Sequence, residues 1–412
     1  MKILFILSIG FDTPGPAVHL VKDIIREMLE AGHTVNFVQK LLGGSDPVIP
    51  IELEKYIGST LIVDNLYMKK VDKANFVKRY IRNVISAFDC AKVYKKYNDV
   101  DIVFVQSNPT AIFPISLAKK YLKKPVIFDI QDIFPQDAVY AGKMSEKSII
   151  YKISRFMQKR AYMKADHLTT ISKDMKKTIL EEGISDSKID IVYNWSYSNE
   201  SYDISDDENL FLKIHPEIDK SKYRVVYAGN IGAMVNVELM VETADKLRSE
   251  SGIHFYIIGE GSSREKFERL VREKDLPNIT FYPLQTVEYA PHNYSMANIN
   301  LIPLPKGVIY TVMPSKTATA LACGKPIIAG FDLESDMAEI LRQVDKCTVL
   351  DPDDVNGYVD TILEYYRNGI RDYSANSRDI YKERFSQDNA KQYVKIFEKV
   401  VSNTEYNKKN KS

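Results

Sequence analysis

Cysteine is scarce in this chain: Cys90, Cys323 and Cys347 lie far apart and are odd in number. That usage leaves no disulfide framework and no CxxC-type metal site, and it fits a reducing compartment. Six histidines form no HExxH or HxH pairing, which argues against a structural or catalytic zinc. A surplus of either charge is missing too. Against 56 Lys plus Arg stand 55 Asp plus Glu, so the chain as a whole is no polyanion binder. No apolar run approaches the roughly 18–20 residues that cross a bilayer. The stretch Lys2–Ile9 is apolar but short, lacks a small-x-small cleavage pattern and leads straight into Gly10-Phe-Asp-Thr-Pro-Gly-Pro16. It reads as a buried first strand rather than a signal peptide, and the expectation is a cytoplasmic protein. A GxGxxG dinucleotide fingerprint is also lacking.

What is present is a globular composition, 45% hydrophobic and 27% charged over 412 residues, long enough for two or three domains. Short apolar runs alternate with longer helical patterns, the mark of βαβ units and parallel sheets. In the first half, strands are expected at Lys2–Ser8, His33–Gln39, Asp101–Gln106, Pro125–Asp129, His167–Ile171 and Ile189–Tyr193, with helices at Pro16–Ala31, Asn75–Lys96, Ala111–Leu122 and Lys147–Lys164. Residues 199–222 are polar, acidic and aperiodic, and a second α/β set follows from Arg224. The division expected is a Rossmann-like domain over 1–200, a connection over 201–222, a second Rossmann-like domain over 223–386, and a terminal segment over 387–412. In that segment Tyr393, Ile396, Phe397 and Val400 share one helical face. Open parallel sheets bind ligands beyond the carboxyl ends of their strands, so the active site is expected in the cleft between the two domains.

Three strand-to-helix turns are rich in glycine: Ser8–His19, Tyr227-Ala-Gly-Asn-Ile-Gly-Ala233 and Ile258-Gly-Glu-Gly-Ser-Ser-Arg264. Glycine lets backbone N–H groups approach an anion, and the following helix offers its positive end. Each alone is also compatible with a plain turn; recurrence at equivalent strand ends favours a phosphate-bearing ligand.

The ordered set Tyr227–Gly232, Gly259–Arg264 and Pro314-Ser-Lys-x5-Ala-Cys-Gly-Lys-Pro326 resembles the C-terminal half of family 4 glycosyltransferases. The likeness is to the branch that builds bacterial O-antigen, capsule and exopolysaccharide. In the N-terminal half Gly15-Pro16-Ala17, Glu30-Ala-Gly-His33, Asp129-Ile-Gln-Asp-Ile-Phe-Pro135, Ala165–Ser172 and Val192-Tyr-Asn-Trp195 are similar to motifs of the same branch. The resemblance implies the GT-B fold, α/β with two Rossmann-like domains facing across a cleft and a C-terminal helix crossing back to the first. It implies a nucleotide-sugar held mainly by the second domain, an acceptor on the first, retention of anomeric configuration, and neither metal nor cofactor. The nucleotide-sugar site it implies comprises Gly15, Pro16, Gly229, Asn230, Gly232, Arg264, Thr311, Pro314, Ser315, Lys316 and Thr319.

Two departures from the family stand out. Many members carry two glutamates eight positions apart where this chain has Thr311 and Thr319, and a hydroxyl lacks the charge-assisted strength of a carboxylate. Where members often bring Arg and Lys to the diphosphate, Asn230, Ala233 and Val235 stand here. Lys316, at the start of a helix, and Arg264 are the cations left for the diphosphate, although a solvated surface lysine has the same signature. Lys316 is therefore expected to stabilise the departing diphosphate. Asp132, at a strand end, suits acceptor binding or proton removal, with helix capping as the plain alternative.

Basic residues interleaved with aromatic and aliphatic ones fill Leu66–Tyr97 and Lys143–Lys164, including Lys78, Arg79, Arg82, Lys152, Arg155 and Arg160. Such helices suit either an anionic membrane surface or plain solvation. No RRM, KH or helix-turn-helix pattern accompanies them, which argues against nucleic acid. The family context favours the inner face of the cell membrane and a polyprenyl-diphosphate-linked acceptor. The expected activity is thus a retaining glycosyltransferase moving an N-acetylated or other sugar from a UDP-sugar to a lipid-linked saccharide. A non-catalytic binding subunit and a UDP-sugar 2-epimerase of the same fold are the alternatives.

Overall fold

Segments such as KILFI and YRVVYA show no polar alternation, and runs of that kind form strands buried on both faces of a parallel sheet. The computed structural model describes residues 1–7, 10–12, 16–44, 46–69, 71, 76–196, 202–371, 374 and 376–409. They divide into two units, the first made of Met1–Val139, Met144–Tyr193 and Asp388–Ser412, the second of Tyr140–Lys143 and Asn194–Gln387.

In the first unit the strands are β1 (Lys2–Ile6), β2 (Thr34–Leu42), β3 (Leu61–Met68), β4 (Ile102–Gln106), β5 (Val126–Ile130), β6 (His167–Thr170) and β7 (Ile189–Ile191). They pair in parallel in the order β3-β2-β1-β4-β5-β6-β7. The second unit has β8 (Tyr223–Ala228), β9 (Ile253–Ile258), β10 (Ile279–Tyr282), β11 (Ile299–Pro303), β12 (Ile327–Gly330) and β13 (Cys347–Leu350), in the order β10-β9-β8-β11-β12-β13. Both orders start at a central strand, wind outward one way and then the other. The reversal falls between β1 and β4 in one sheet and between β8 and β11 in the other, and such a switch point opens a ligand crevice at the carboxyl ends.

Strand β3 goes beyond the expected set. Its sequence LIVDNLYM places Asp64 and Asn65 mid-strand, and only its two end residues are buried. An edge position tolerates this, because Asp64 accepts hydrogen bonds from Lys96 Nζ at 2.7 Å and Tyr97 Oη at 2.6 Å. Within 201–222, where composition suggests a plain connection, the described residues belong to the second unit and include a short helix, Leu210–Ile214. Asn209 caps it, its side-chain oxygen accepting from the N–H groups of Phe211 and Leu212 at 3.0 and 3.1 Å.

The terminal helix Ala390–Lys409 belongs to the first unit. Phe397 stacks on Phe5 of β1 and Phe104 of β4, with ring centroids 5.9 and 5.8 Å apart. Tyr393 Oη donates to the buried Asp129 Oδ1 at 2.8 Å, which also accepts from Thr169 Oγ1 at 2.7 Å, while Gln131 Nε2 donates to Oδ2 at 2.8 Å. Burial pushes the Asp129 carboxyl up, and these donors oppose the shift. A buried carboxylate that loses a donor is costly. Tyr393→Phe is therefore expected to lower the unfolding free energy by about 1–3 kcal/mol, read as an earlier urea midpoint with unchanged slope.

Candidate active site

At the carboxyl end of β8 the chain makes the turn Gly229–Gly232, and at the end of β9 the turn Gly259–Ser263. Their backbones nearly touch. A Cβ on Gly259 would lie 1.9 Å from the Gly229 carbonyl oxygen, and one on Gly261 would lie 2.4 Å from that of Ile231. The turns are laced together by Ile231 N–H donating to Glu260 O at 2.8 Å and Ser263 N–H donating to Ile231 O at 2.9 Å. Gly229 itself has φ +127°, a conformation L side chains rarely adopt.

Lys316 meets this turn from the helix Lys316–Cys323. Its Nζ donates to Tyr227 Oη at 2.5 Å and lies 4.0 Å from the centroid of the same ring. Tyr227 is fully buried and in turn donates to Asn230 O at 2.6 Å. A Cβ on Gly229 would come within 3.6 Å of Nζ, so the missing side chain keeps the ammonium's flank open. Burial pushes Lys316 down to about 7. The helix behind it has no side-chain cap and no acid in its first turn, which leaves its positive end uncompensated.

Gly229, Asn230, Gly232 and Lys316 are thus gathered at one strand end, with Pro314 and Ser315 leading into the lysine's helix. Arg264 is near but committed. Its Nη1 donates to Gly259 O and, at 2.9 Å, to Tyr282 O; its Nε donates to Glu268 at 2.6 Å; and its guanidinium lies 4.7 Å from the Phe281 ring centroid. It braces β9 against β10. Both threonines turn inward: Thr311 Oγ1 donates to Val308 O at 2.9 Å, and Thr319 Oγ1 is 3.3 Å from Ser196 Oγ.

On the first unit, Asp132 follows β5 as an exposed residue. Desolvation of its carboxyl by the surrounding protein pushes it up to about 6, so at neutral pH it is chiefly the carboxylate. Gly15 lies outside the described residues; Pro16 opens the helix Pro16–Glu30, and its side chain is not described. Sequence reasoning missed Tyr227 as the partner of Lys316; its only signal is a phenol two positions ahead of the turn glycine. A separate cavity of about 530 Å³ sits at the amino ends of β8, β11 and β12, lined by Arg224, Asn298 and Lys325. There Arg224 is already paired with Asp206 at 2.7 Å.

Residues 17–195 match the Glycosyltransferase Family 4 domain and residues 222–368 the Glycosyl transferases group 1 domain. The chain belongs to the family 4 glycosyltransferases. WcaI of Escherichia coli K12, a protein named for glycosyl transfer in colanic acid biosynthesis, is 26% identical over 220 residues, 52% of this chain. That match takes in 54% of WcaI, about half its length. The glycosyltransferase WbjE of Pseudomonas aeruginosa is 23% identical over 79% of this chain and 83% of its own. Among solved structures, the sucrose-phosphate synthase of Thermosynechococcus elongatus superposes with a TM-score of 0.74 at 14% identity, covering 97% of this chain and 99% of that one. Anabaena HepE, solved with UDP and glucose, gives 0.68 at 14% identity over 96% and 99%. These likenesses establish the GT-B fold for this family 4 chain.

The close crossing of the two turns gives a direct test. Gly259→Ala is expected to cost about 1–3 kcal/mol of stability by overpacking, measured by urea unfolding.

Proposed function

We propose that this chain is a retaining, metal-independent glycosyltransferase that moves a sugar from a UDP-sugar to a lipid-linked saccharide in bacterial surface polysaccharide synthesis. One observation carries the donor half of this reading: Lys316 held by Tyr227 beside Gly229, at the switch point of the second sheet. A diphosphate there meets a cation, a helix amino end and the exposed backbone of a glycine turn. The relatives support the reading, since HepE is solved with UDP-glucose and WcaI is named for colanic acid biosynthesis. An N-acetylated donor sugar is the first to try.

In the reaction the bond from the anomeric carbon to the diphosphate oxygen breaks, and a bond to the acceptor oxygen forms on the same face. The acceptor's proton passes to the departing phosphate oxygen. No carboxylate nucleophile is required, in contrast to the pair used by retaining glycosidases. Charge grows on the diphosphate as the bond breaks, so a fixed cation gains strength toward the transition state. Thr311 and Thr319 are assigned to the donor's walls, with their hydroxyls satisfied inside the fold. Arg264 acts by holding the second turn in place. Asp132 is assigned to the acceptor's hydroxyls.

The acceptor half rests on a surface of the first unit. The helices Phe76–Lys96, Ile112–Tyr121 and Ile149–Lys164 pack side by side. They leave Ile81, Ile85, Phe88, Ile149, Ile153 and Phe156 exposed, among Lys92, Lys152, Arg155 and Arg160, which are exposed too. Lys70 and Lys73 lie outside the described residues. No helix among the described residues is long and apolar enough to cross a membrane. A basic face studded with apolar side chains instead suits adsorption to anionic lipid, where each nearby charge contributes about 1 kcal/mol.

Two outcomes test these halves. Lys316→Ala is expected to lower kcat by roughly 10²-fold or more with a smaller change in donor KM, and Lys316→Arg to recover only part of it. Nucleotide binding by the wild-type chain with no transfer or donor hydrolysis would instead identify a binding subunit. Replacing Ile153 and Phe156 by serine, or Lys152 and Arg160 by glutamate, is expected to release the protein from anionic vesicles in a sedimentation assay. Raised salt should mimic the second pair alone; unchanged sedimentation of both pairs would mark a merely solvated face.

A further inference from the structure

The cation of this site has an uncommon set of neighbours. Among the described residues no carboxylate pairs with Lys316, and burial lowers its proton affinity. Among the described residues the phenol Tyr294 adjoins Tyr227, and the adjoining turn carries Arg264 with its carboxylate partners Glu260 and Glu268. Tyr294 Oη donates to Ala228 O at 2.9 Å, and burial pushes both phenols up, so both stay neutral. A phenol has one proton to give. That of Tyr227 goes to Asn230 O, so only a lone pair faces Nζ, and Lys316 must be the donor in their 2.5 Å contact. Among the described residues no carboxylate takes the remaining Nζ protons, and glycine at 229 puts no side chain against them on that side.

We propose that Tyr227 is the positioning residue that presents Lys316 to an incoming diphosphate, and that filling the site takes up one proton at Lys316 Nζ. The proposal rests on the nucleotide-sugar reading above. In the empty site, desolvation favours the neutral amine. A diphosphate placed against Nζ supplies the opposite charge that the protein withholds, and the amine accepts a proton from solvent to become the ammonium. No other bond changes. Tyr227 fixes where that ammonium stands through one hydrogen bond and its ring face, the latter at 4.0 Å from Nζ.

Titration calorimetry with UDP-glucose in buffers of different ionisation enthalpy reads this directly, because its diester phosphates stay ionised throughout. With Lys316 near 7, uptake should be about half a proton per ligand at pH 7, approaching one near pH 8 and vanishing toward pH 6. Lys316→Met should abolish it. Tyr227→Phe keeps the ring but removes the acceptor, and should move the uptake curve about one pH unit lower. Binding whose heat is independent of buffer at pH 7 and 8, or uptake that persists in Lys316→Met, overturns the proposal.

A wild-type chain that binds no UDP-sugar overturns the nucleotide-sugar reading instead. The Tyr227–Lys316 pairing is then read without ligand, by NMR titration of lysines labelled at Cε, with Lys316 identified by its loss in Lys316→Met. A midpoint near 7 that falls in Tyr227→Phe supports the pairing. A midpoint in the ordinary lysine range, or one unmoved in Tyr227→Phe, removes it.

Discussion

The near-contact of the Gly229 and Gly259 backbones sets the geometry of the whole carboxyl end of the second sheet. With no side chain at either position, the second turn closes over the first, and Ile231 is clamped through both its N–H and its carbonyl. That clamp fixes where the Asn230 carbonyl points. The carbonyl in turn takes the one proton of Tyr227, which leaves the tyrosine's lone pair for Lys316. A steric vacancy between two glycines is thereby passed along three groups to the placement of one ammonium. Arg264 supports the same arrangement from outside by holding the Gly259 and Tyr282 carbonyls together.

The two sheets share a winding order, yet their carboxyl ends differ in charge. In the first unit the groups at the end of β5 are carboxylates: Asp129, consumed by Tyr393, Thr169 and Gln131, and Asp132, open to solvent. In the second unit the strand end presents Lys316 and a helix amino terminus. A diphosphate is repelled by the first set and attracted by the second, whereas sugar hydroxyls can donate to a carboxylate. The electrostatics of the two units therefore argue for a division of labour that strand topology alone does not specify.

Much of this was readable from sequence because buried parallel strands carry their signal locally. YRVVYA and IHFYII are apolar almost end to end, and a glycine follows each. LIVDNLYM hides its strand because an edge position tolerates Asp64 and Asn65. The face of the terminal helix was legible from Tyr393, Ile396, Phe397 and Val400, but the Asp129 carboxylate it docks on was not, since that contact spans 264 positions. At the candidate site, the glycines stood out by recurring at equivalent strand ends, and Lys316 through the resemblance of its segment to family 4. Arg264 did not reveal that backbone carbonyls and Glu268 use its donors. Tyr227 gave no sign of its partner, since the contact with Lys316 spans 89 positions. What a polar side chain can offer a ligand depends on what the fold has already claimed from it, and that is a non-local quantity.

The family's missing glutamates fit this picture. Thr311 and Thr319 stand where a carboxylate pair is common among relatives, on the segments flanking Lys316. A carboxylate close to Nζ would hold the ammonium in an ion pair and raise its proton affinity, so an incoming diphosphate would have to compete with a resident anion. With threonines whose hydroxyls are spent on Val308 O and beside Ser196 Oγ, these two positions supply no such anion. The ammonium can then be stabilised by the ligand itself. Under the proposed donor site, losing hydrogen bonds to the donor's hydroxyls and removing competition for Lys316 are opposing consequences of the same two substitutions. In the proposed site, where Asn230, Ala233 and Val235 supply no charge, the second consequence would weigh more for a diphosphate and the first for the choice of sugar.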